Sequence, residues 1–250
     1  MNNEAELIGK RWNFSSKGYN DIIQEEFSEV GQVWVDVLKD HAPAETGKVL
    51  DIGMGPGFFT SILAELGWDV TGIDCASQMV DEAKKNLALR GLRADCRVMD
   101  SHELEFADNT FDYIVARNAT WLLYDPPKAF SDWLRVLKPG GRLMYLDANW
   151  PYVDDQRMQE QLDTAYKQYE AETGKPFNSY TGDEKTDEDF RHLVAFTHTY
   201  RPDWDMRELP NMGYTNLQVK PRMNEIIYPD WKQRLYKAID VFLITAEKPK

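Results

Sequence analysis

Three aspartates lie at or just after predicted strands in the first half of the chain, and each carries a carboxylate that can hold a polar ligand. Asp51 closes one short apolar stretch, Asp74 ends the next, and Asp100 follows the third. Parallel strands end at one edge of their sheet, so the three side chains are expected along that edge. A carboxylate there can pair with an ammonium group or accept from ribose hydroxyls and from the exocyclic amine of adenine. The acids therefore predict a nucleoside site.

The loop that contains Asp51 is rich in glycine, reads Asp51-Ile-Gly-Met-Gly-Pro-Gly, and opens a predicted helix. Gly53, Gly55 and Gly57 supply points where the backbone turns tightly or approaches a ligand. The helix start at Phe58 favours a carboxylate nearby. A dinucleotide loop has the wider spacing Gly-x-Gly-x-x-Gly, and a carboxylate at Asp51 would repel its pyrophosphate. The tighter spacing and the carboxylate of Asp51 therefore argue against NAD as the ligand.

Alternating strands and helices are predicted to position the loop and the acids. The predicted strands are Lys48–Ile52, Trp68–Ile73, Ala94–Met99, Phe111–Ala116 and Arg142–Asp147. The predicted helices are Phe58–Leu66, Ser77–Arg90 with Ser77 as its N-cap, and Pro126–Leu137, followed by a hard turn at Lys138-Pro-Gly-Gly. This alternation implies parallel pairing with right-handed crossovers. We therefore expect an α/β, Rossmann-like fold with a seven-stranded, mostly parallel sheet and helices on both faces.

Further helices and strands are predicted on both sides of this core. Helical spacing fills the first 45 residues, further helices are expected at 152–172, 188–196 and 204–212, and strands at 217–223 and 238–248. The domain boundaries follow: a helical cap segment at 1–46, the cofactor-binding core at 47–150, an inserted substrate lid at 151–212, and closing strands at 213–250. Insertions at the carboxyl ends of strands commonly build substrate pockets.

The composition narrows the choice of partner. The net charge is −13, from 29 basic and 42 acidic residues, which argues against a nucleic acid because phosphate contacts need clustered Lys and Arg. No apolar run suits a membrane span or a signal peptide, so a cytoplasmic protein is expected. Cys75 and Cys96 are the only cysteines and predict small buried side chains, with neither a disulfide nor a metal site.

Five segments form a recognisable set: Asp51-x-Gly-x-Gly-x-Gly, Gly72-Ile-Asp74, Asp100 with Ser101, Phe111-Asp-Tyr-Ile-Val, and Leu134-x-x-Val-Leu-Lys-Pro-Gly-Gly-Arg-Leu. Together they resemble class I S-adenosylmethionine-dependent methyltransferases of the ubiquinone and menaquinone biosynthesis group (methyltransferase domain 11 or 25 type). The resemblance covers about 48–147, and a strand at 238–248 fits the antiparallel edge of that fold. It implies adenosylmethionine as cofactor and adenosylhomocysteine as product. It also implies that Asp51 lies near the methionine end, Asp74 binds ribose and Asp100 binds adenine.

Methyl transfer from a sulfonium is an in-line displacement that depends on positioning, and a base is needed only if the acceptor loses a proton. The catalytic residue stays open, with Tyr19, Arg117 and His198 as candidates. The expected cofactor-binding residues are Asp51, Gly53, Gly55, Gly57, Asp74, Cys75, Met79, Asp100, Ser101, His102, Arg117 and Tyr19. The expected substrate-binding residues are Trp121, Asp147, Asn149, Trp150 and Tyr152.

The sequence favours transfer of a methyl group to a small-molecule acceptor. An aminopropyl or carboxymethyl transferase on the same fold, and a non-catalytic adenosylmethionine-binding protein, remain alternatives because a fold does not fix a function. The acceptor, the methylated atom and the choice between monomer and homodimer stay open.

Overall fold

The structure is a computed structural model that describes residues 3–150, 155–174 and 192–250. Its strands are β1 (Lys48–Ile52), β2 (Asp69–Asp74), β3 (Asp95–Val98), β4 (Phe111–Arg117), β5 (Leu137–Ala148), β6 (Thr215–Lys220) and β7 (Val241–Glu247). Its helices are α1 (Asn3–His41), α2 (Phe58–Glu65), α3 (Ser77–Leu89), α4 (Pro126–Val136), α5 (Gln156–Thr173), α6 (Asp203–Asn211), α7 (Asn224–Ile227) and α8 (Asp230–Leu235). A short 3₁₀ turn spans Thr120–Leu122.

The strands within the described residues form one seven-stranded sheet in the order β3-β2-β1-β4-β5-β7-β6. Strands β1 to β5 pair in parallel, and β7 runs antiparallel to both β5 and β6. The predicted mostly parallel Rossmann-like fold is thereby confirmed. Because β1, β2 and β3 are neighbours that run in the same direction, their carboxyl ends meet at one edge of the sheet. The three aspartates were predicted to lie at this edge.

Both faces of the sheet are buried, since successive residues of a strand point to opposite faces. On one face Val49 and Val115 pack with Trp34 of α1. On the other face Leu50 and Ile114 join Trp133 of α4. Burial on both faces explains why the strands are almost continuously apolar.

The predicted N-terminal helical region is one helix of 39 residues, α1, and it packs on α3 and α2. The prediction that Ser77 is the N-cap of α3 is wrong. The N-cap of α3 is Ala76, and no side chain of α3 caps it. Instead Asn13 of α1 accepts a hydrogen bond from the Gln78 backbone N–H at 2.8 Å. The cap comes from a residue 65 positions away, so local sequence could not reveal it.

The predicted hard turn at Lys138-Pro-Gly-Gly lies inside β5. Pairing with β4 steps from Phe111↔Leu137 to Tyr113↔Arg142, so the extra residues form an irregularity in the strand. Gly140 has φ of +76°, a conformation that favours glycine.

The second half differs more from the predictions. Residues 192–196, the described part of the helix predicted at 188–196, are turns rather than helix. Helices α7 and α8 were not predicted. Helix α6 packs on the sheet through Leu209, while the boundary of a lid at 212 stays a prediction. Among the described helices, none is long and apolar enough to cross a membrane.

Candidate nucleoside site and its neighbouring cavity

A cleft of about 750 Å³, part of it open to solvent, lies at the carboxyl ends of β1 to β4. The cleft, called the main cleft below, is lined by these predicted cofactor residues: Tyr19, Gly53, Gly55, Asp74, Cys75, Met79, Asp100, Ser101, His102 and Arg117. Asp51 lines a smaller adjoining side cavity, which also touches Tyr19 and Arg117. Gly57 lines neither.

The glycine loop closes tightly over the sheet edge. Gly53 has φ of +65°, and a Cβ built on it would lie 2.5 Å from the Cβ of Ala119. Gly57 has φ of +86°, and its Cβ would lie 3.1 Å from the Cβ of Ala83 in α3. The absence of a side chain at Gly53 therefore permits close packing beside the cleft. The absence of one at Gly57 permits the start of α2 to pack against α3.

Asp51 is buried at the end of β1, with 1 % of its surface exposed. The Thr60 hydroxyl donates to its Oδ2 at 2.6 Å. Burial raises the pKa of Asp51 to about 7, and this exceeds the opposing effect of the Thr60 hydrogen bond. A cationic ligand group in the side cavity would favour the ionised carboxylate.

Asp74 links the end of β2 to the glycine loop. Its Oδ2 accepts from the Gly55 backbone N–H at 2.9 Å, and its Oδ1 accepts from Ala76 N–H at 2.8 Å. Burial raises the pKa of Asp74 to about 6 against these two hydrogen bonds. Each oxygen keeps lone-pair capacity for a ligand hydroxyl, so Asp74 can bind ribose and hold the loop at the same time.

Asp100 is the most fully hydrogen-bonded of the three acids. His102 donates to its Oδ1 from the backbone N–H at 2.9 Å and from Nδ1 at 2.8 Å, and the Tyr124 hydroxyl donates to Oδ2 at 2.7 Å. Although burial opposes it, these hydrogen bonds hold the pKa of Asp100 below its usual value. Sequence reasoning missed Tyr124, because nothing local connects a tyrosine to an acid 24 residues earlier.

Helix α1 covers the main cleft. Ala5, Ile8, Trp12 and Tyr19 line it, at a spacing that places them on one helical face. Gly9 permits the close approach, since a Cβ there would lie 2.7 Å from the carbonyl oxygen of Cys75.

Arg117, at the end of β4, is buried and lines both the main cleft and the side cavity. Its guanidinium pairs with Glu26 of α1, which also receives the Lys232 ammonium at 3.2 Å. The same guanidinium lies over the rings of Trp34 and Phe58 at 4.8 and 4.5 Å. Arg117 is thus an anchored cation at the cleft wall.

The two other catalytic candidates differ in position. Tyr19 lines both cavities, and burial raises the pKa of its hydroxyl, so it stays protonated at neutral pH. His198 is exposed and lies outside the residues that line the main cleft.

The structure does not bring the predicted substrate residues Asp147 and Asn149 to the cleft. Asp147 is fully buried and accepts from the Thr120 hydroxyl at 2.6 Å and from Trp121 N–H at 2.8 Å. Asn149 bonds the backbone N–H and carbonyl of Arg201 at 2.8 and 2.7 Å. Asp147 thus joins β5 to the loop after β4, and Asn149 joins the residues after β5 to the segment that contains Arg201.

The three aromatic substrate candidates have separate positions. Trp121 contacts the ring of Trp12 at 6.4 Å between centroids, so it lies beside the cleft wall. Trp150 packs on Tyr236 at 5.1 Å. Tyr152 lies outside the described residues. Their predicted binding roles stay predictions, as do those of the cofactor residues.

The cysteines are both free thiols, and they differ in position. Cys96 is buried against α3, as predicted, whereas Cys75 is only partly buried and lines the main cleft.

The raised pKa of Asp51 predicts that the free energy of unfolding of the ligand-free protein depends on pH between pH 5 and pH 8. Because the pKa of Asp51 is raised in the folded state, its contribution to the free energy of unfolding is fully present below its usual pKa. That contribution is lost as the pH rises through about 7. We expect Asp51→Asn to gain stability relative to the wild type between pH 5 and pH 8, as measured by urea unfolding. The exposed Asp69→Asn serves as control, and equal pH profiles for the wild type and Asp51→Asn would contradict the assignment.

The sheet order, the glycine loop after β1 and the acids at the ends of β1 to β3 define the class I methyltransferase architecture. A comparison with protein families matches residues 50–145 to the methyltransferase domain family. That part of the chain is similar to methyltransferase domains of this class, as the sequence motifs indicated.

Curated relatives match a stretch of similar length. The ubiquinone/menaquinone biosynthesis C-methyltransferase UbiE of Desulfotalea psychrophila is 36 % identical over 107 residues, which cover 42 % of this chain and 43 % of that protein. A phosphatidylethanolamine N-methyltransferase of Cereibacter sphaeroides is 32 % identical over 109 residues, 43 % of this chain and 53 % of its own length. The chain spans about half the length of these two relatives.

Solved structures extend the likeness in fold. Phosphoethanolamine N-methyltransferase 2 of Haemonchus contortus, in complex with S-adenosyl-L-methionine, has a TM-score of 0.61 at 22 % identity, covering 88 % of this chain and 53 % of that one. A putative S-adenosyl-L-methionine-dependent methyltransferase of Methanococcus maripaludis has a TM-score of 0.59 at 20 % identity, covering 94 % and 92 %.

Proposed function

We infer that the chain is an S-adenosylmethionine-dependent methyltransferase that acts on a small-molecule acceptor. The observation that carries this proposal is the placement of Asp51, Asp74 and Asp100 at three neighbouring strand ends around connected cavities, beside a glycine loop. All three belong to the segment that matches the methyltransferase domain family. The named relatives are a C-methyltransferase of ubiquinone/menaquinone biosynthesis and a phosphatidylethanolamine N-methyltransferase, which supports a small acceptor.

The residues present fit adenosylmethionine. Asp74 and Asp100 both line the main cleft and can hold the ribose and adenine of the cofactor. The tight approach of Gly53 to Ala119 keeps the loop clear of side chains where a ligand would pass. Asp51, whose pKa burial raises to about 7, suits an ammonium group, since a nearby cation would favour the ionised carboxylate.

The chain contributes positioning and exclusion of water. When bound, adenosylmethionine supplies an electrophilic methyl group on a sulfonium. Helix α1 covers the cleft and shields it from water, and Trp12 and Tyr19 present aromatic rings that tolerate a cation without attacking it. The Tyr19 hydroxyl, protonated at neutral pH, can donate a hydrogen bond and does not act as a base.

Label transfer tests the proposal. The protein is incubated with cell extract and with adenosylmethionine labelled either in the methyl group or in the carboxyl group. We expect only the methyl label to enter a product. Transfer of the carboxyl label would instead indicate transfer of the aminocarboxypropyl group, and binding without any transfer would indicate a non-catalytic protein.

Removal of the ribose acid should weaken cofactor binding. In Asp74→Ala the ribose hydroxyls and the Gly55 N–H lose their acceptor, so we expect a loss of about 1–3 kcal/mol in binding free energy. Calorimetric titration with adenosylhomocysteine measures this loss. Asp69→Ala, at the exposed start of the same strand, is the matched control and should bind normally. Unchanged affinity in Asp74→Ala would refute the assignment.

We also propose a lid within 151–212, a monomeric or homodimeric state, a cytoplasmic location, and a lack of nucleic acid and membrane partners. Size-exclusion chromatography with light scattering distinguishes the two oligomeric states.

A further inference from the structure

The Asp100 carboxylate is held by more protein donors than either of the other two acids. A carboxylate offers about four acceptor positions. Among the described residues, His102 fills both positions on Oδ1 through its backbone N–H and Nδ1, and the Tyr124 hydroxyl fills one on Oδ2. One position on Oδ2 is left for a single further donor.

The rings of His102 and Tyr124, which supply two of these hydrogen bonds, stack on each other. His102 and Tyr124 stack with centroids 3.6 Å apart and an interplanar angle of 22°. The Asp125 backbone N–H points to His102 Nε2 at 3.4 Å, so Nδ1 is the nitrogen that carries the proton toward Asp100. The Trp133 indole N–H also fixes the Ser101 carbonyl beside this pair at 2.8 Å. The carboxylate is thereby held in one orientation.

This arrangement faces the ligand. Asp100, His102 and Tyr124 all line the main cleft. An exocyclic amine at the 6-position of a purine can donate one N–H to the remaining position on Oδ2. A 6-oxo group would instead place an oxygen against the carboxylate, where two acceptors repel each other.

We propose that Tyr124 is a positioning residue that aims the Asp100 carboxylate at a 6-amino purine and so makes the cleft selective for adenine. The inference rests on the proposed adenosylmethionine site and adds a residue that sets its base specificity. The hydroxyl occupies one of the two positions on Oδ2 and fixes the direction of the other, so its removal leaves Oδ2 positioned only through the hydrogen bonds of His102 to Oδ1. Tyr124 therefore acts through Asp100 and need not touch the ligand.

Tyr124→Phe isolates the hydroxyl, since it keeps the ring that stacks on His102. Its matched control is Tyr214→Phe, which removes a buried hydroxyl that donates to the Phe130 carbonyl at 2.9 Å, outside the cleft. The ligands are adenosylhomocysteine and two analogues, one with hydrogen and one with oxygen at purine position 6. Calorimetric titration gives each dissociation constant, and thermal unfolding confirms that each variant is folded.

Tyr124→Phe is expected to weaken adenosylhomocysteine binding about tenfold, equivalent to about 1.4 kcal/mol. Its affinity for the 6-hydrogen analogue should stay within about twofold, because that ligand does not donate to Asp100. The preference for the 6-amino over the 6-oxo ligand should shrink in Tyr124→Phe and persist in Tyr214→Phe.

Three outcomes overturn the inference. Equal weakening of the 6-amino and 6-hydrogen ligands would show that Tyr124 only supports the cleft wall. Unchanged selectivity in Tyr124→Phe would show that its hydroxyl does not aim Asp100. If the wild type binds none of the three ligands, the proposed function fails as well, whereas the first two outcomes leave it intact.

Discussion

Arg201→Met is expected to lower the free energy of unfolding by about 3–5 kcal/mol, the usual cost of removing one partner from a buried ion pair. Arg201 is fully buried and donates to Asp205 from Nε at 2.9 Å and from Nη2 at 2.5 Å. A third hydrogen bond reaches the Thr120 hydroxyl at 2.8 Å, and Asp147 lies 3.8 Å away. Methionine fills a similar volume but leaves both buried acids without their cation. Urea unfolding measures the loss.

Arg207→Met is the matched control, because Arg207 lies on the same helix α6 and pairs with Glu208 at the surface. Exposed pairs contribute little to stability, so no measurable change is expected. If Arg201→Met and Arg207→Met unfold alike, the buried network does not stabilise the contact between Arg201, Asp205 and the end of β5 as described.

Gly53→Ala is expected to weaken adenosylhomocysteine binding by about tenfold or more, since relieving overpacking of this kind costs about 1–3 kcal/mol. The added methyl group would lie 2.5 Å from the Ala119 Cβ, so either the glycine loop or the loop after β4 must move. Both loops line the main cleft. Calorimetric titration measures the change in affinity.

Gly91→Ala separates this steric effect from the cost of the backbone conformation. Gly91 has φ of +68°, close to the +65° of Gly53, and nothing lies within 4 Å of an added Cβ. Both variants should lose about 1–2 kcal/mol of stability for a left-handed residue with a side chain. Only Gly53→Ala should lose ligand affinity, and equal affinities in the two variants would contradict the packing account.

The parts of the site that the sequence predicted depend on local patterns. Asp51, Asp74 and the glycines are recognisable because each sits where an apolar strand gives way to a turn or helix. Parallel pairing then brings the strand ends to one edge without further information. The fold prediction succeeded for the same reason, since the alternation of strands and helices restricts the topology.

The parts that the sequence did not reveal depend on contacts between distant residues. The Tyr124 hydroxyl meets Asp100 only after β3 and the loop beyond β4 are assembled. Asp147 ends the fifth predicted strand and was expected to face a ligand, yet its partners are Thr120 and Arg201. A carboxylate at a strand end thus predicts a polar contact, but the folded chain decides whether the partner is a ligand or the protein.

The central claim is that the main cleft binds an adenosyl cofactor, and direct titration of the wild-type protein tests it. Calorimetry at pH 8, where Asp51 and Asp74 are mostly ionised, should show saturable, one-to-one binding of adenosylhomocysteine. Under the same conditions NAD should show no binding, because its pyrophosphate would meet these carboxylates at the glycine loop. Binding of NAD in preference to adenosylhomocysteine, or failure to bind adenosylhomocysteine, would contradict the account.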